Sequence, residues 1–91
     1  MEANNKMEGL LLELFTSPTC PHCPRAREAI GEAVKAMKNA LLIEREVTAP
    51  ENAELARGYG IRSVPTLIIN GAYRVEGVPQ RDDIMRFLRQ I

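Results

Sequence analysis

Phe15-Thr16-Ser17-Pro18-Thr19-Cys20-Pro21-His22-Cys23-Pro24 holds both cysteines, the single histidine and three of the six prolines of a 91-residue chain. The apolar run Leu10 to Phe15 leads into this stretch. From Arg25 to Lys38 an amphipathic pattern leaves it, so the two thiols sit where a strand hands over to a helix. A helix N-terminus offers unpaired N–H groups and the positive end of a dipole, and both favour a thiolate over a thiol. Cys20 takes that place. Cys23, one turn on, is near enough to form a disulfide with Cys20 while its side chain points inward. Such a pair can attack a disulfide, be trapped as a mixed disulfide and then resolve it. Pro21 and His22 lie between the cysteines and are candidates for tuning the thiolate, His22 through positive charge or a donated hydrogen bond.

Outward from the motif, Leu10-Leu11-Leu12-Glu13-Leu14-Phe15 is almost continuously apolar, as in a central strand covered on both faces. Glu13 interrupts it, and is read as a carboxylate that snorkels or pairs with a surface base. Ala26, Ala29, Ile30, Ala33, Val34 and Met37 form one helical stripe. Pro24 suits the first turn, and Asn39 is the expected left-handed cap. Leu41 to Val47 begins apolar and then alternates, which suits a strand nearer the sheet edge. Strand, helix and strand in this order make a parallel unit. Thr48-Ala49-Pro50-Glu51 has capping-box spacing, before a short helix with Leu55, Ala56 and Tyr59 inward and Gly58 and Gly60 at its end. Pro65 to Ile69, Asn70-Gly71 and Ala72 to Glu76 predict an antiparallel hairpin with a two-residue type I′ turn. Asp82 and Asp83 open a last helix whose inner face is Ile84, Phe87, Leu88 and Ile91. The order is βαβ, α, ββ, α.

Composition narrows the function classes. Twelve basic residues balance twelve acidic ones without blocks of either sign, so there is no electrostatic footprint for nucleic acid or anionic lipid. The polar octet 1–8 and the interrupted run after it match neither a signal peptide nor a membrane span. We expect a cytoplasmic monomer with one domain over residues 1–91, of which 1–8 form a polar extension. A purely structural disulfide fits poorly there, since cytosolic thiols are kept reduced. Closing a loop of about four residues also gives only about 2 kcal/mol in the chain-entropy model. Structural zinc needs four protein ligands, and two cysteines with one histidine inside the same motif do not close such a site in a monomer. A soft-metal binding or transfer module, shared between chains, is the rival reading from a different class.

Together with Tyr59-Gly60-Ile61-Arg62-Ser63-Val64-Pro65-Thr66-Leu67 downstream, the motif resembles those of the thioredoxin and glutaredoxin superfamily, most closely the small archaeal-type, glutaredoxin-like thioredoxins. The resemblance runs from Leu10 nearly to the end. It implies an α/β thioredoxin-like fold with a four-stranded mixed sheet of order 2-1-3-4 flanked by three helices. It also implies a protein-disulfide reductase that needs no cofactor beyond the redox-active Cys20–Cys23 pair and no metal. Cys20 is then the attacking thiol and Cys23 the resolving one. Pro65 is implied to be a cis-proline beside them, and the backbone of Val64 to pair with an extended substrate segment. Gly77 matches a glycine that lets a partner approach, and as a bare turn residue it would simply end the hairpin. The implied partners are disulfide-containing client proteins and an upstream reductase.

The chain departs from the family pattern in three ways. It has Thr19, Pro21 and His22 around the cysteines and no tryptophan. Leu14 stands where larger thioredoxins bury an aspartate, with Glu13 as the neighbouring carboxylate. Gly77-Val78-Pro79-Gln80 lacks the Gly-Gly-Asp with which glutaredoxins hold glutathione, so a glutathione-dependent glutaredoxin is kept as an alternative only. The tetrad Cys-Pro-His-Cys is also similar to that of the bacterial periplasmic disulfide-forming oxidants, a hint of an oxidising shift.

Overall fold

A computed structural model describes residues 9–91; the polar octet 1–8 lies outside the described residues. The elements are β1 (Leu10–Thr16), α1 (Cys23–Lys35), β2 (Ala40–Glu46), α2 (Pro50–Tyr59), β3 (Thr66–Ile69), β4 (Tyr73–Glu76) and α3 (Arg81–Gln90). The strands form one sheet in the order β2-β1-β3-β4. β1 pairs in parallel with β2, antiparallel with β3, and β3 pairs antiparallel with β4. The expected topology is the observed one.

Period-two alternation along β1 divides the core. Leu10, Leu12 and Leu14 face Ala26, Ile30 and Ala33 of α1 and Ile84 and Leu88 of α3. On the opposite face Phe15 packs with Ala56 of α2 and Ile68, fringed by Val47, Tyr59, Ile61 and Val64. Three layers result, with β1 in the middle of the middle one. Gly9 is required at the start of β1: a Cβ there would stand 2.9 Å from the Asn39 carbonyl oxygen, which accepts the Leu10 N–H at 2.6 Å.

Several local expectations are corrected. α1 ends at Lys35 with Ala36 as a right-handed cap, and not at Asn39. The amides of Ala36 and Met37 bond back to Ala33 and Val34, a tightening of the last turn that frees Asn39 to lead into β2. Thr48 caps nothing: Ala49 is the N-cap of α2 and gives no side-chain bond, and Pro50 opens the helix. Leu55 and Ile91 are exposed; Met85 packs against the core beside Ile84 and Leu88 instead. The hairpin turn carries positive φ at both Asn70 (54°) and Gly71 (69°) as expected. The register, however, pairs Ile69 with Tyr73, so Ala72 makes a third loop residue. Asn70 also ties the turn to β1, accepting the Leu11 N–H on Oδ1 at 2.8 Å and donating its own N–H to Leu11 at 2.7 Å.

Glu13 does pair with a base, but it is buried rather than snorkelling. Its carboxylate accepts from Arg45 Nε at 2.8 Å and from the Tyr59 hydroxyl at 2.9 Å, linking β1, β2 and α2. Arg74 of β4 donates to the carbonyls of Tyr59 and Gly60. It thereby occupies acceptors left open at the C-terminus of α2, where Gly60 turns the chain with φ 70°.

Candidate functional site

The motif lies where β1 ends and α1 begins. Ser17 shapes the turn between them. Its carbonyl accepts the Cys20 N–H at 3.2 Å, and its hydroxyl accepts the Thr19 N–H at 3.2 Å. The helix starts at Cys23, with His22 as N-cap and Pro24 in the first turn, where no N–H is wanted. Cys20 and Cys23 are joined as a disulfide with Cα atoms 5.5 Å apart. They are not equivalent: Cys23 is 1% exposed, whereas Cys20 is half-buried and Pro21 and His22 are exposed. The accessible sulfur is therefore the one that precedes the helix, beside its free N–H groups.

The Val64–Pro65 bond is cis, the isomer the resemblance implies. Pro65 is buried and its carbonyl accepts the Gly77 N–H at 2.9 Å, while the Thr66 hydroxyl donates to the Ser63 carbonyl at 2.7 Å. These bonds brace the loop on both sides of Val64, whose own backbone N–H and C=O bond to nothing among the described residues. Gly77 has φ 85°, which favours glycine, and nothing within 4 Å of where a Cβ would be. One hollow is lined jointly by His22 and Arg25 from the motif side and by Val64, Pro65, Gly77 and Val78 from the other. The structure thus gathers His22, Val64, Pro65 and Gly77 at one place, with the disulfide on either side of His22 in the chain.

Glu13 is not part of this site. It alternates with Leu12 and Leu14 and so faces α2, the side of the sheet away from α1 and Cys23. The polar group that does lie under α1 escaped the sequence reading. The buried Thr16 hydroxyl donates to Glu44 at 3.0 Å, and Arg27 donates to the same carboxylate through Nε and Nη2 at 2.8 and 2.7 Å. Its only advance signal is that Arg27 and Glu44 carry opposite charges on a helix and strand of one βαβ unit. The Arg27 hydrogen bonds, with Thr16, hold the Glu44 carboxyl below its ordinary value of 4.5. A depressed carboxyl contributes stability that is complete above its unfolded value and is lost as pH falls through the folded one. Replacing Glu44 with Gln is therefore expected to flatten the loss of stability between about pH 5 and about pH 3. The effect should not exceed about 1 kcal/mol, because the pair is partly solvated. Urea midpoints at the two pH values measure it.

No helix among the described residues is long and apolar enough to cross a membrane, and no three of His, Cys, Asp and Glu converge there as a metal-binding group. Residues 11–89 match the thioredoxin domain family model. The chain is 37% identical to the thioredoxin of Methanocaldococcus jannaschii over 84 residues, covering 92% of this chain and 98% of that one. It is 37% identical to a probable thioredoxin of Archaeoglobus fulgidus over 82 residues, covering 90% and 89%. Among solved structures, thioredoxin-2 of the malaria parasite superposes with a TM-score of 0.80 at 19% identity, covering 91% of this chain and 84% of that one, a likeness of fold.

Proposed function

Because the chain belongs to the thioredoxin domain family, and so is a disulfide oxidoreductase, we propose that it works as a reductase of protein disulfides with Cys20 as nucleophile and Cys23 as resolving thiol. One observation carries the assignment of roles: the half-buried Cys20 is bonded to a buried Cys23 at the helix start, beside the hollow that Val64 and Pro65 share. In the reduced protein the Cys20 thiolate attacks one sulfur of a client disulfide. The client S–S bond breaks, a Cys20–client bond forms, and the displaced client thiolate takes up a proton. Cys23 loses its proton to water and attacks the Cys20 sulfur. The second client thiolate leaves, and the Cys20–Cys23 disulfide closes after two electrons have passed to the client. An upstream reductase returns them.

The surrounding residues support this sequence. The unpaired N–H groups of the first turn of α1 favour the thiolate on Cys20, and His22, exposed beside it, adds to that positive field when protonated. The unbonded backbone of Val64 suits an extended client segment added in the manner of a strand, and the open space before Gly77 admits the client chain. The cysteine chemistry is matched to a reducing compartment, and we place the protein in the cytoplasm.

Cys23→Ser tests the assignment. It is expected to leave the nucleophile without a resolver, so that a disulfide client accumulates as a covalent adduct on Cys20, seen as a mass shift reversed by dithiothreitol. Failure to accumulate an adduct, with reductase turnover intact, would overturn it.

A further inference from the structure

Val64 lines two hollows, not one. Beyond the hollow it shares with His22 and Arg25, it borders a second whose floor is Val47, Ala56 and Ile61 and whose rim carries Arg57 and Arg62. No aspartate or glutamate lines either hollow. Three acids of the surrounding elements already have basic partners. Glu44 is held by Arg27, Glu76 stands beside Arg74, and Glu54 reaches Arg57 across one exposed helical turn. Arg25 and Arg62, by contrast, pair with no carboxylate among the described residues, and both are exposed. A chain of zero net charge has thus gathered cations on both sides of the backbone segment that the proposed mechanism gives to the client.

From this we infer the chemical class of the client: an extended, disulfide-bearing segment with carboxylates flanking an apolar side chain. The inference rests on the reductase reading for its site. The apolar side chain fits the Val47–Ala56–Ile61 floor, and the carboxylates face Arg62 and Arg57 on one side and Arg25 and His22 on the other. Unpaired cations select by sign: they attract acidic segments and repel basic ones, and the repulsion is as useful for specificity as the attraction. Arg25 and Arg62 are the residues that set this preference. Because they are exposed, the selection weakens with salt.

The test uses two peptides identical but for Glu or Lys at the positions around one cysteine, each in a disulfide form for reduction assays and a serine form for binding to the oxidised protein by fluorescence anisotropy. At about 20 mM salt the acidic peptide is expected to bind on the order of tenfold more tightly than the basic one, as two exposed charge pairs allow. The difference should shrink severalfold at about 500 mM, where charges are screened within a few ångströms. Arg25→Glu combined with Arg62→Glu should reverse the order, with circular dichroism confirming that the variant is folded. Equal binding of the two peptides, absence of binding by either, or an order unchanged in the folded double variant overturns the inference. If the acidic peptide binds preferentially but neither peptide is reduced, charge selection stands and the reductase reading falls. Equal binding with equal, Cys20-dependent reduction removes charge selection and leaves the reductase reading in place.

Discussion

Cys20→Ser is expected to lower the rate of reduction of a protein disulfide such as insulin's by at least about 10³-fold, because a serine hydroxyl at neutral pH has no counterpart to the thiolate that makes the first bond. The size follows from position. Cys23 is 1% exposed, so it cannot take over the attack on a bulky client, although its sulfur chemistry is the same. The variant must be compared with the reduced parent. Against the oxidised parent it also lacks the constraint of a loop of about four residues, worth about 2 kcal/mol. Insulin turbidity with dithiothreitol as electron donor reads the rate directly, and a residual rate within about tenfold of the parent would sink the assignment of Cys20.

The largest expected effect on stability lies on the other side of the sheet. Glu13 is 3% exposed and depends on Arg45 and Tyr59 for its hydrogen bonds. Arg45→Ala leaves a buried carboxylate with one neutral donor, and should cost about 3 kcal/mol; the side chain of Arg45 is itself partly solvated, which keeps the figure at the low end for a broken buried pair. Replacing both partners with apolar residues, Glu13→Leu with Arg45→Met, should recover most of that loss, since desolvation of both charges is removed together. Urea unfolding of the two variants decides it, and a single variant no less stable than the double would contradict the account. Tyr59 gives an independent readout. Its hydrogen bond to Glu13, then burial and the Glu13 charge, raise the phenol above its ordinary value of 10.0. A raised value means that the protonated form is favoured by folding, so the contribution is complete below pH 10 and is lost as pH rises through the folded value. Tyr59→Phe should remove that alkaline slope.

The features legible in the sequence were those in which one residue type has one local use. Continuous leucines made β1 central, Asn70-Gly71 demanded positive φ, and Pro24 could open a helix but not continue one. The misreadings share a cause. Asn39 and Thr48 are good capping residues at which no helix ends or begins: Ala36 and Ala49 are the caps, and the Asn39 carbonyl instead accepts the Leu10 N–H of the neighbouring strand. Leu55 and Ile91 had the right period, but burial depends on how far the facing element extends. Glu13 shows the limit most plainly. Its need for a partner was visible, whereas the identity of Arg45 follows from the parallel register that sets β2 beside β1. Arg62 lies inside the second motif, yet its lack of a partner is a property of the folded surface alone.

The sheet order also divides the site by mobility. β1 is bonded on both edges and covered on both faces, so its amides can exchange with solvent only when most of the molecule opens; β4 has one neighbour and largely exposed residues, and can detach by itself at much smaller cost. On the proposed mechanism the nucleophile, Cys20, lies in the turn that follows the slow element, and Gly77 directly follows the fast one. Against clients of differing shape, the reacting sulfur therefore keeps its place while the opposite wall gives way.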